Sequence, residues 1–368
     1  MARALVIGGT GPTGIPLVRG LRERQIDVTI AHRGAHERSE TPAEVVHVHI
    51  DPYDDEELQS VFDGQTFDIV IAMYGRLRRI AELSAGRAGQ FISVGGVPAY
   101  RGWMNPWLFD PAGIPLPVGE DAATVARPED DEKGYRIVRT EQAVMEHHPG
   151  AAHFRYPYVY GPHQLAPREW LIVRRVIDGR DRIVVADEGL TLHHHGYTEN
   201  LAHALLLALE HPDAAAGNIF NVGDEEVLSV RQVIELVAGA LGHRFDIVSM
   251  PYEIAVPARP LLTQPLPTHR VLDIGRVRAR LGYRDVVPAR KAVAATARWL
   301  ADHPCDRGGQ EETVLTDPFD YEAEDRLVDA WLNATRTLPD PGYAVLPGYG
   351  LAYSGPGGRP RSRERFDA

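Results

Sequence analysis

The chain of 368 residues has a single cysteine, Cys305, and no apolar run that approaches membrane-spanning length. One cysteine excludes an intrachain disulfide, and the first residues, MARALVIGGTG, lack the layout of a signal peptide. Basic side chains are also in the minority, with 39 lysines and arginines against 51 acidic residues and a formal charge of -12. This balance disfavours a general nucleic-acid surface. We therefore expect a cytoplasmic protein whose partners are small molecules rather than membranes or nucleic acids.

Strand-like and helix-like patterns alternate along the chain. With 44% hydrophobic residues, the chain can bury a large core. ARALVIGG is typical of a buried strand, GIPLVRGLRER of a helix with an apolar stripe, and DVTIA of the next strand. Further strands are predicted at Val45–Ile50, Ile69–Met73, Gln90–Ser93 and Ala151–Arg155, and helices at Asp54–Phe62 and Gly134–His147. The alternation predicts an α/β fold with a doubly wound parallel sheet.

A glycine-rich loop, Val6-Ile7-Gly8-Gly9-Thr10-Gly11-Pro12-Thr13-Gly14, lies between the first strand and the first helix. Gly8 permits a tight turn, Gly11 lets the backbone approach a pyrophosphate, and Gly14 lets helix and strand pack closely. The helix N-terminus favours the anion. A glycine-rich turn without a ligand is the alternative. The order of strand, loop and helix favours dinucleotide binding, with these predicted contacts: Gly8, Thr10, Gly11, Pro12, Thr13 and Gly14.

The GxxGxxG motif resembles that of the short-chain dehydrogenase/reductase superfamily, and the downstream pattern is similar to its extended branch, the NAD-dependent epimerase/dehydratase family. The downstream likeness is carried by Phe154-Arg155-Tyr156, Gly161, Leu201-Ala202 and Asp273 to Tyr283. The resemblance implies a Rossmann-type sheet, with Asp51 on the adenine and Tyr156 behind the nicotinamide. Tyr74 is added to the predicted cofactor contacts. The resemblance also implies a homodimer, since extended members of the family commonly pair through the helices that include the catalytic helix.

Three parts of the chain are predicted to differ in role. Residues 1–160 are predicted to be the dinucleotide-binding Rossmann domain, and residues 161–304 a smaller C-terminal α/β substrate lobe interleaved with it. Residues 305–368 are predicted to be an extension that is partly helical, over Tyr321–Arg336, and then irregular. The interruption Gly95–Asp131, rich in Pro, Gly and Trp, falls between a strand end and a helix, where active-site loops usually lie. We expect it to be a lid.

The end of the second predicted strand, Val28–Gly34, bears on the choice of nicotinamide cofactor. Ala31 and His32 occupy the place where an acidic side chain would hold the ribose 2′-hydroxyl of NAD. Arg33, helped by His32 or Arg38, is predicted to pair with a 2′-phosphate through its fork of donors. NADP is therefore favoured over NAD, and an exposed arginine in a turn is the alternative.

The segment Lys133–Val144 matches the family's catalytic helix in two registers. By resemblance, the chemistry uses a tyrosine hydroxyl to pass a proton and a cation one turn away to lower its pKa. In the first register Tyr135 is the donor and the bulkier Arg139 replaces the usual lysine. Ser93 is assigned as the family's assisting hydroxyl, although it lies one or two positions before the place where the family has its serine or threonine. The alternative is that Tyr135 only packs.

The second register matches the family's YGxxKxxxE pattern through Gly134 and Glu141. It puts Lys133 where the tyrosine belongs and Ile137 where the lysine belongs. This register leaves no ordinary dyad. We predict that Tyr135 is the proton donor and that Arg139 or Lys133 is its cationic support.

The predicted substrate contacts are Tyr158, Arg168 and His193. By resemblance, UDP-sugar epimerases hold a phosphate through an arginine near the start of the strand that contains His193, and the sugar through an asparagine where this chain has Tyr158. These differences weaken the case for a nucleotide-sugar substrate, although Arg168 could still meet an anion. In His193-His194-His195 only the outer two share a strand face and no further ligand completes a set, so no metal is predicted.

These features predict an NAD(P)-dependent oxidoreductase or epimerase that moves a hydride at a carbinol or carbonyl carbon of a small, sugar-like substrate. The first alternative is a catalytically degenerate protein that senses NADP(H) or binds a partner. RNA binding is the second alternative, because the turn at Val28–Gly34 resembles that of the chloroplast stem-loop-binding proteins. The charge of -12 disfavours it.

Overall fold

The computed structural model describes residues 1–34, 38–73, 75–262 and 266–344. The strands are β1 (Arg3–Ile7), β2 (Asp27–His32), β3 (Val46–His49), β4 (Phe67–Ala72), β5 (Ala88–Gly96), β6 (Ala152–Tyr156), β7 (Tyr158–Tyr160), β8 (Arg182–Ala186), β9 (His195–Tyr197), β10 (Asn218–Asn221) and β11 (Asp246–Met250). The helices are α1 (Gly14–Glu23), α2 (Asp55–Ser60), α3 (Leu77–Ser84), α4 (Glu132–His147), α5 (Trp170–Ile177), α6 (Thr198–Glu210), α7 (Pro212–Ala215), α8 (Val230–Ala240), α9 (Arg259–Leu262), α10 (Gly275–Leu281), α11 (Ala289–Asp302), α12 (Gln310–Thr313) and α13 (Tyr321–Arg336).

Seven strands form one parallel sheet in the order β10-β6-β5-β4-β1-β2-β3. The chain moves outward from β1 to β3 and then returns to the other side of β1 with β4. In a doubly wound sheet, the carboxyl ends of the strands beside this reversal form the crevice in which ligands bind. The predicted Rossmann-type fold is confirmed.

Both faces of the sheet are covered, because successive side chains of a strand point to opposite sides. Val6 of β1 joins a cluster with Leu17 of α1 and Leu205 of α6. Its neighbour Ile7 joins a second cluster with Ile80 of α3 and residues of α2. The apolar strands of the sequence are therefore apolar on both faces because each face packs against helices.

Helix α4 starts two residues before the predicted position. The side chain of Asp131 accepts the backbone N–H of Gly134 at 3.0 Å, which caps the first turn. Asp54 does the same for α2, accepting the N–H groups of Glu56 and Glu57. These caps position the two helices that follow β3 and the loop after β5.

The segment between β5 and α4 contains two short 3₁₀ turns, Val97–Ala99 and Pro106–Leu108. Its middle is bound to the segment before α10, because Val118 donates to the Val271 carbonyl and its own carbonyl accepts from Asp273 N–H. The role of this segment as a lid stays a prediction.

The described chain divides into two compact units, Met1–Phe319 and a second that begins at Asp320 and contains α13. In the first unit, β7 pairs with β9 and β8 with β11, outside the main sheet. The predicted boundaries at residues 160 and 304 stay predictions. Among the residues described, no helix is both long enough and apolar enough to cross a membrane.

Candidate functional site

The loop after β1 is closely packed at Gly8 and Gly14 and has open space beside Gly11. Gly8 has a φ of +92°, and a Cβ there would lie 2.9 Å from the Met73 carbonyl oxygen. A Cβ on Gly14 would lie 2.4 Å from the Gly9 carbonyl, whereas one on Gly11 would meet, among the described residues, only the Gly8 oxygen, at 3.5 Å. Thr13 precedes α1. The loop fits a pyrophosphate that lies against the backbone.

At the end of β2, His32 is buried and bonded within the protein. Its Nδ1 accepts the Gly34 N–H at 3.0 Å, so its Nε2 carries the proton and faces His47 Nδ1 at 2.8 Å. These bonds occupy both ring nitrogens of His32, whereas the side chain of the neighbouring Arg33 is exposed. Asp51 is exposed after β3, and its carboxylate accepts the N–H of Tyr53 at 3.0 Å. Tyr74 lies outside the described residues.

A cavity of about 1010 Å³ lies at the carboxyl ends of β4, β5 and β6. The strands contribute Met73, Val94, Gly95, Gly96 and Tyr156 to its wall. Its other side chains come from the loop after β5, from α4 and from the segments around residues 158, 168, 193 and 270. The cavity therefore lies where a doubly wound sheet places its substrate.

Helix α4 presents Glu132, Lys133, Arg136, Ile137 and Thr140 to this cavity. With 3.6 residues per turn these positions share one face of the helix. The described cavity wall does not include Tyr135 or Arg139. The structure therefore places the second register at the cavity.

The two side chains of the first register lie elsewhere on α4. Tyr135 packs against the small cluster of Ala99, Val125 and Val138. Arg139 is exposed and donates to Gln142 Oε1 at 3.3 Å. Gly134 explains this orientation, because a Cβ there would lie 2.4 Å from the Pro98 carbonyl oxygen. The helix approaches the loop after β5 so closely that Tyr135 faces the packed side.

Ser93 lies inside β5, which continues to Gly96, and its side chain is fully buried. Its Oγ lies 2.7 Å from His153 Nδ1. The structure therefore keeps Ser93 beneath the cavity wall, since the residues at the strand end are Gly95 and Gly96.

A buried ion pair joins α4 to β6. Arg155 donates to both carboxylate oxygens of Glu141, at 2.8 and 2.7 Å, and His153 Nε2 lies 3.4 Å from Oε1. Burial by itself raises the pKa of Glu141, but the hydrogen bonds from Arg155 and the nearby His153 ring outweigh it and the pKa is lowered. Glu141 is therefore a carboxylate that holds α4 on the sheet.

The three residues predicted to contact the substrate, Tyr158, Arg168 and His193, lie together at the other end of the cavity. The Tyr158 hydroxyl accepts the Arg168 N–H at 3.0 Å and donates to the Ala166 carbonyl. The Arg168 guanidinium lies 4.6 Å from the Tyr158 ring centre and donates to His193 Nδ1 at 3.1 Å and to His195 Nε2. All three side chains line the cavity.

Arg270 is a cavity residue that sequence reasoning missed. Its side chain is 6% exposed, lies 5.8 Å from the Trp103 ring centre, and has an Nη2 without a hydrogen-bond partner in the described part of the chain. Burial and the nearby charge of Arg168 lower its pKa to about 9, so it remains cationic at neutral pH. The one signal in the sequence was that Arg270 lies three residues before the segment Asp273 to Tyr283, which resembles the family. The neighbouring residues do not indicate that its side chain turns toward the cavity.

Residues 136–223 match the model of the NAD dependent epimerase/dehydratase family. The predicted family resemblance is confirmed. Among curated proteins, the chain is 29% identical over 177 residues to an uncharacterized protein, y4nL, of Sinorhizobium fredii, covering 42% of this chain and 47% of that protein. It is 26% identical over 215 residues to a putative GDP-L-fucose synthase 2 of Oryza sativa subsp. japonica, covering 54% and 58%. The chain thus spans about half the length of the curated relatives it matches.

Solved structures share the fold over most of the chain. A UDP-glucose 4-epimerase of Thermotoga maritima, solved with UDP-glucose, superimposes with a TM-score of 0.65 and 17% identity, covering 82% of this chain and 99% of that one. The enzyme WbmG of Bordetella bronchiseptica, solved with NAD, gives a TM-score of 0.64 and 16% identity, covering 82% and 94%. At these identities the likeness shows the fold alone.

Proposed function

We propose that this protein is an NAD(P)-dependent enzyme of the short-chain dehydrogenase/reductase type that acts on a sugar-like substrate carrying a diphosphate. The observation that carries the proposal is Arg270, buried at one end of the cavity with an Nη2 that has no hydrogen-bond partner among the described residues. A buried cationic donor of this kind costs free energy unless a hydrogen-bond acceptor meets it, and an anion is the acceptor that also offsets its charge. Arg168, on the same wall, supplies a second guanidinium.

In the sequence, His193 in place of the family's phosphate-binding arginine weakens the case for a nucleotide-sugar substrate. Arg168 comes from a different part of the chain, yet its Nη1 lies 3.1 Å from His193 Nδ1. A guanidinium is therefore present beside the substituted position. This supports a diphosphate, whose two charges suit two arginines.

The glycine loop supports a bound nicotinamide dinucleotide. The residues described directly after β2, which include Arg33 and no carboxylate, favour NADP. When bound, the dinucleotide supplies or accepts a hydride. For reduction, Lys133 on the cavity face of α4 would donate a proton to the substrate oxygen while the hydride adds to the carbonyl carbon. Because Lys133 is exposed, solvent would return the proton.

Binding of UDP-glucose to Arg270→Met tests the anion end of the cavity. Because a buried charge-assisted contact is lost, we expect affinity to fall at least about tenfold, with NADPH affinity unchanged. Isothermal titration calorimetry with each ligand measures both. Arg244→Met, at an exposed arginine, is the matched control and should bind like the wild type. Equal binding by Arg270→Met and the wild type would sink the proposal.

Lys133→Met and Tyr135→Phe separate the two registers of α4. We expect Lys133→Met to lower turnover by about 10²-fold or more, because it removes the proton donor. Tyr135→Phe should keep turnover within about twofold, since the tyrosine packs on another face. The measurement is conversion of UDP-hexoses with NADP⁺ or NAD⁺, followed by chromatography. A loss of activity in Tyr135→Phe alone would restore the first register.

A catalytically degenerate NADP(H)-sensing protein is the second candidate. It is favoured by Ile137, which lines the cavity at the position that holds a lysine in the family pattern. NADPH binding in the absence of any turnover across the same substrates would support this candidate over the enzyme.

A further inference from the structure

The Arg168 guanidinium is held by two imidazoles. Its Nη1 donates to His193 Nδ1 at 3.1 Å and its Nη2 donates to His195 Nε2. An arginine has donors only, so each of these histidine nitrogens must be an unprotonated acceptor. His193 therefore carries its proton on Nε2 and His195 on Nδ1, and both rings are neutral. A proton added to His193 Nδ1 would break its bond with Arg168.

The surroundings of His193 explain why it is neutral in the free protein. Burial has the largest effect and, with the charges of Arg168, Arg270 and His269, holds the pKa of His193 well below its usual range. Burial likewise lowers the pKa of His195, with Arg168 and His193 adding to the effect. The cluster is positive before any ligand arrives, and each added proton must overcome this repulsion.

Two further titratable groups adjoin the cluster. Glu169, next to Arg168, is 2% exposed, and burial raises the pKa of its carboxyl. Tyr158 packs edge-on against His195, with 5.7 Å between the ring centres, and burial raises the pKa of its hydroxyl. Both groups are driven toward their neutral forms. A ligand anion is therefore the negative charge best placed to stabilise an added proton.

We propose that Arg168, His193 and Arg270 form a proton-coupled site for a ligand with two fixed negative charges, such as the diphosphate diester of a nucleotide sugar. The inference rests on the proposed function, because it takes the anion end of the cavity as the ligand site. Binding of the dianion offsets the repulsion from both arginines, so His193 takes up a proton. The protonated ring no longer accepts from Arg168, and Arg168 Nη1 is released to bond the ligand.

The sign of the pH dependence follows from the two protonation states. In the free protein the His193 pKa lies below 6.5, and in the complex it is raised, so binding takes up a proton wherever the pH lies between the two values. Affinity for the dianion therefore increases as the pH falls through the raised pKa. Below the pKa of the free protein it stops changing, because His193 is then protonated in both states.

Calorimetry with UDP-glucose and the full chain tests this coupling. The diester of UDP-glucose does not titrate near neutral pH, so any proton taken up is the protein's own. At pH 7, titrations in buffers of different ionisation enthalpy give the number of protons from the slope of observed against ionisation enthalpy. We expect a positive uptake of up to about one proton and an affinity that rises by up to about tenfold per pH unit on acidification.

His193→Asn identifies the group that takes up the proton. The asparagine Oδ1 can still accept from Arg168 but cannot be protonated, so binding should persist while uptake disappears. His211→Asn, at an exposed histidine of the surface, is the control and should keep the uptake. If His193→Asn does not fold, the slope of log affinity against pH in the wild type tests the coupling, because it equals the proton uptake with the opposite sign and a slope of zero overturns the inference.

The outcomes separate the inference from the proposed function. Binding with a heat that is independent of the buffer overturns the proton coupling and leaves the anion site standing. Uptake that persists in His193→Asn overturns the assignment to His193. Absence of binding at every pH overturns the proposed function and the inference together.

Discussion

At single positions, glycine decides how closely the backbones approach. Gly14 and Gly134 each occupy a place where a Cβ would lie 2.4 Å from a backbone carbonyl, that of Gly9 and that of Pro98. The first contact joins α1 to the glycine loop, and the second presses α4 against the loop after β5. A methyl group at either position requires the backbone to move, because the clashing atoms are not flexible side chains.

Gly14→Ala should therefore destabilise the protein and weaken NADPH binding together. We expect a loss of about 1–3 kcal/mol in the free energy of unfolding, from the displaced start of α1. Urea unfolding and NADPH fluorescence titration measure the two effects. Gly239→Ala, in α8 with open space around its Cβ, is the matched control and should leave both unchanged or gain slightly in stability. Wild-type behaviour of Gly14→Ala would contradict the close packing.

Among the elements, α4 connects the cavity to the sheet. Its cavity face carries Lys133 and Ile137, and its buried face carries Glu141, which is paired with Arg155 of β6. The ion pair is 4% exposed at Glu141 and 3% at Arg155. Because the pair is buried, removal of one partner leaves an uncompensated charge in the interior.

Glu141→Gln should lower the free energy of unfolding by about 3–5 kcal/mol. Urea denaturation at neutral pH measures this change. Glu235→Gln provides the comparison, since Glu235 pairs with Arg231 on the exposed face of α8 at 3.0 Å. That surface pair should contribute less than about 1 kcal/mol. Similar losses in the two variants would show that burial of the Glu141 pair does not matter.

The segment before α13 shows how an element's partners depend on the fold. Glu312 accepts the Trp170 indole N–H at 3.0 Å and pairs with Arg174, and Asp317 pairs with Arg175 at 2.8 Å. The polar stretch after Cys305 therefore packs on α5. In the sequence its acidic residues are typical of a solvent-exposed stretch, but in the structure two of them pair with buried arginines.

For the whole molecule, the charge of the cavity is opposite to that of the chain. The chain has a formal charge of -12, yet the described cavity wall carries five cationic side chains, Arg78, Lys133, Arg136, Arg168 and Arg270, and one carboxylate, Glu132. A cavity of one sign in a protein of the other attracts ligands of the opposite charge. This distribution favours a small anionic substrate over a polyanion that needs an extended basic surface.

Buried neutral histidines should make the protein unstable in acid. His194 accepts the Leu272 N–H and faces the Asp224 carbonyl at 2.8 Å, and burial lowers its pKa to about 4. Since its pKa is near 6.5 in the unfolded chain, stability is complete above that pH and is lost as the pH falls toward 4. His194 alone should account for about 2 kcal/mol at pH 5.

Urea unfolding at pH 7.5 and pH 5.0 measures this loss. His211→Asn, at an exposed histidine, should keep the same pH dependence as the wild type. Equal stability at the two pH values would contradict the neutral, buried state of His194.

The sequence by itself determined the sheet, the glycine loop and the family resemblance, because apolar periodicity and the steric freedom of glycine are properties of neighbouring residues. It also contained both registers of α4 without deciding between them, since the choice depends on which face of the helix packs against the loop after β5. The sequence predicted Arg168 and His193 as substrate contacts, whereas the placement of Arg270 on the same cavity wall was decided by the tertiary structure alone. These residues lie far apart in the chain, and only the packing of their separate segments brings the guanidinium and imidazole groups to one cavity wall.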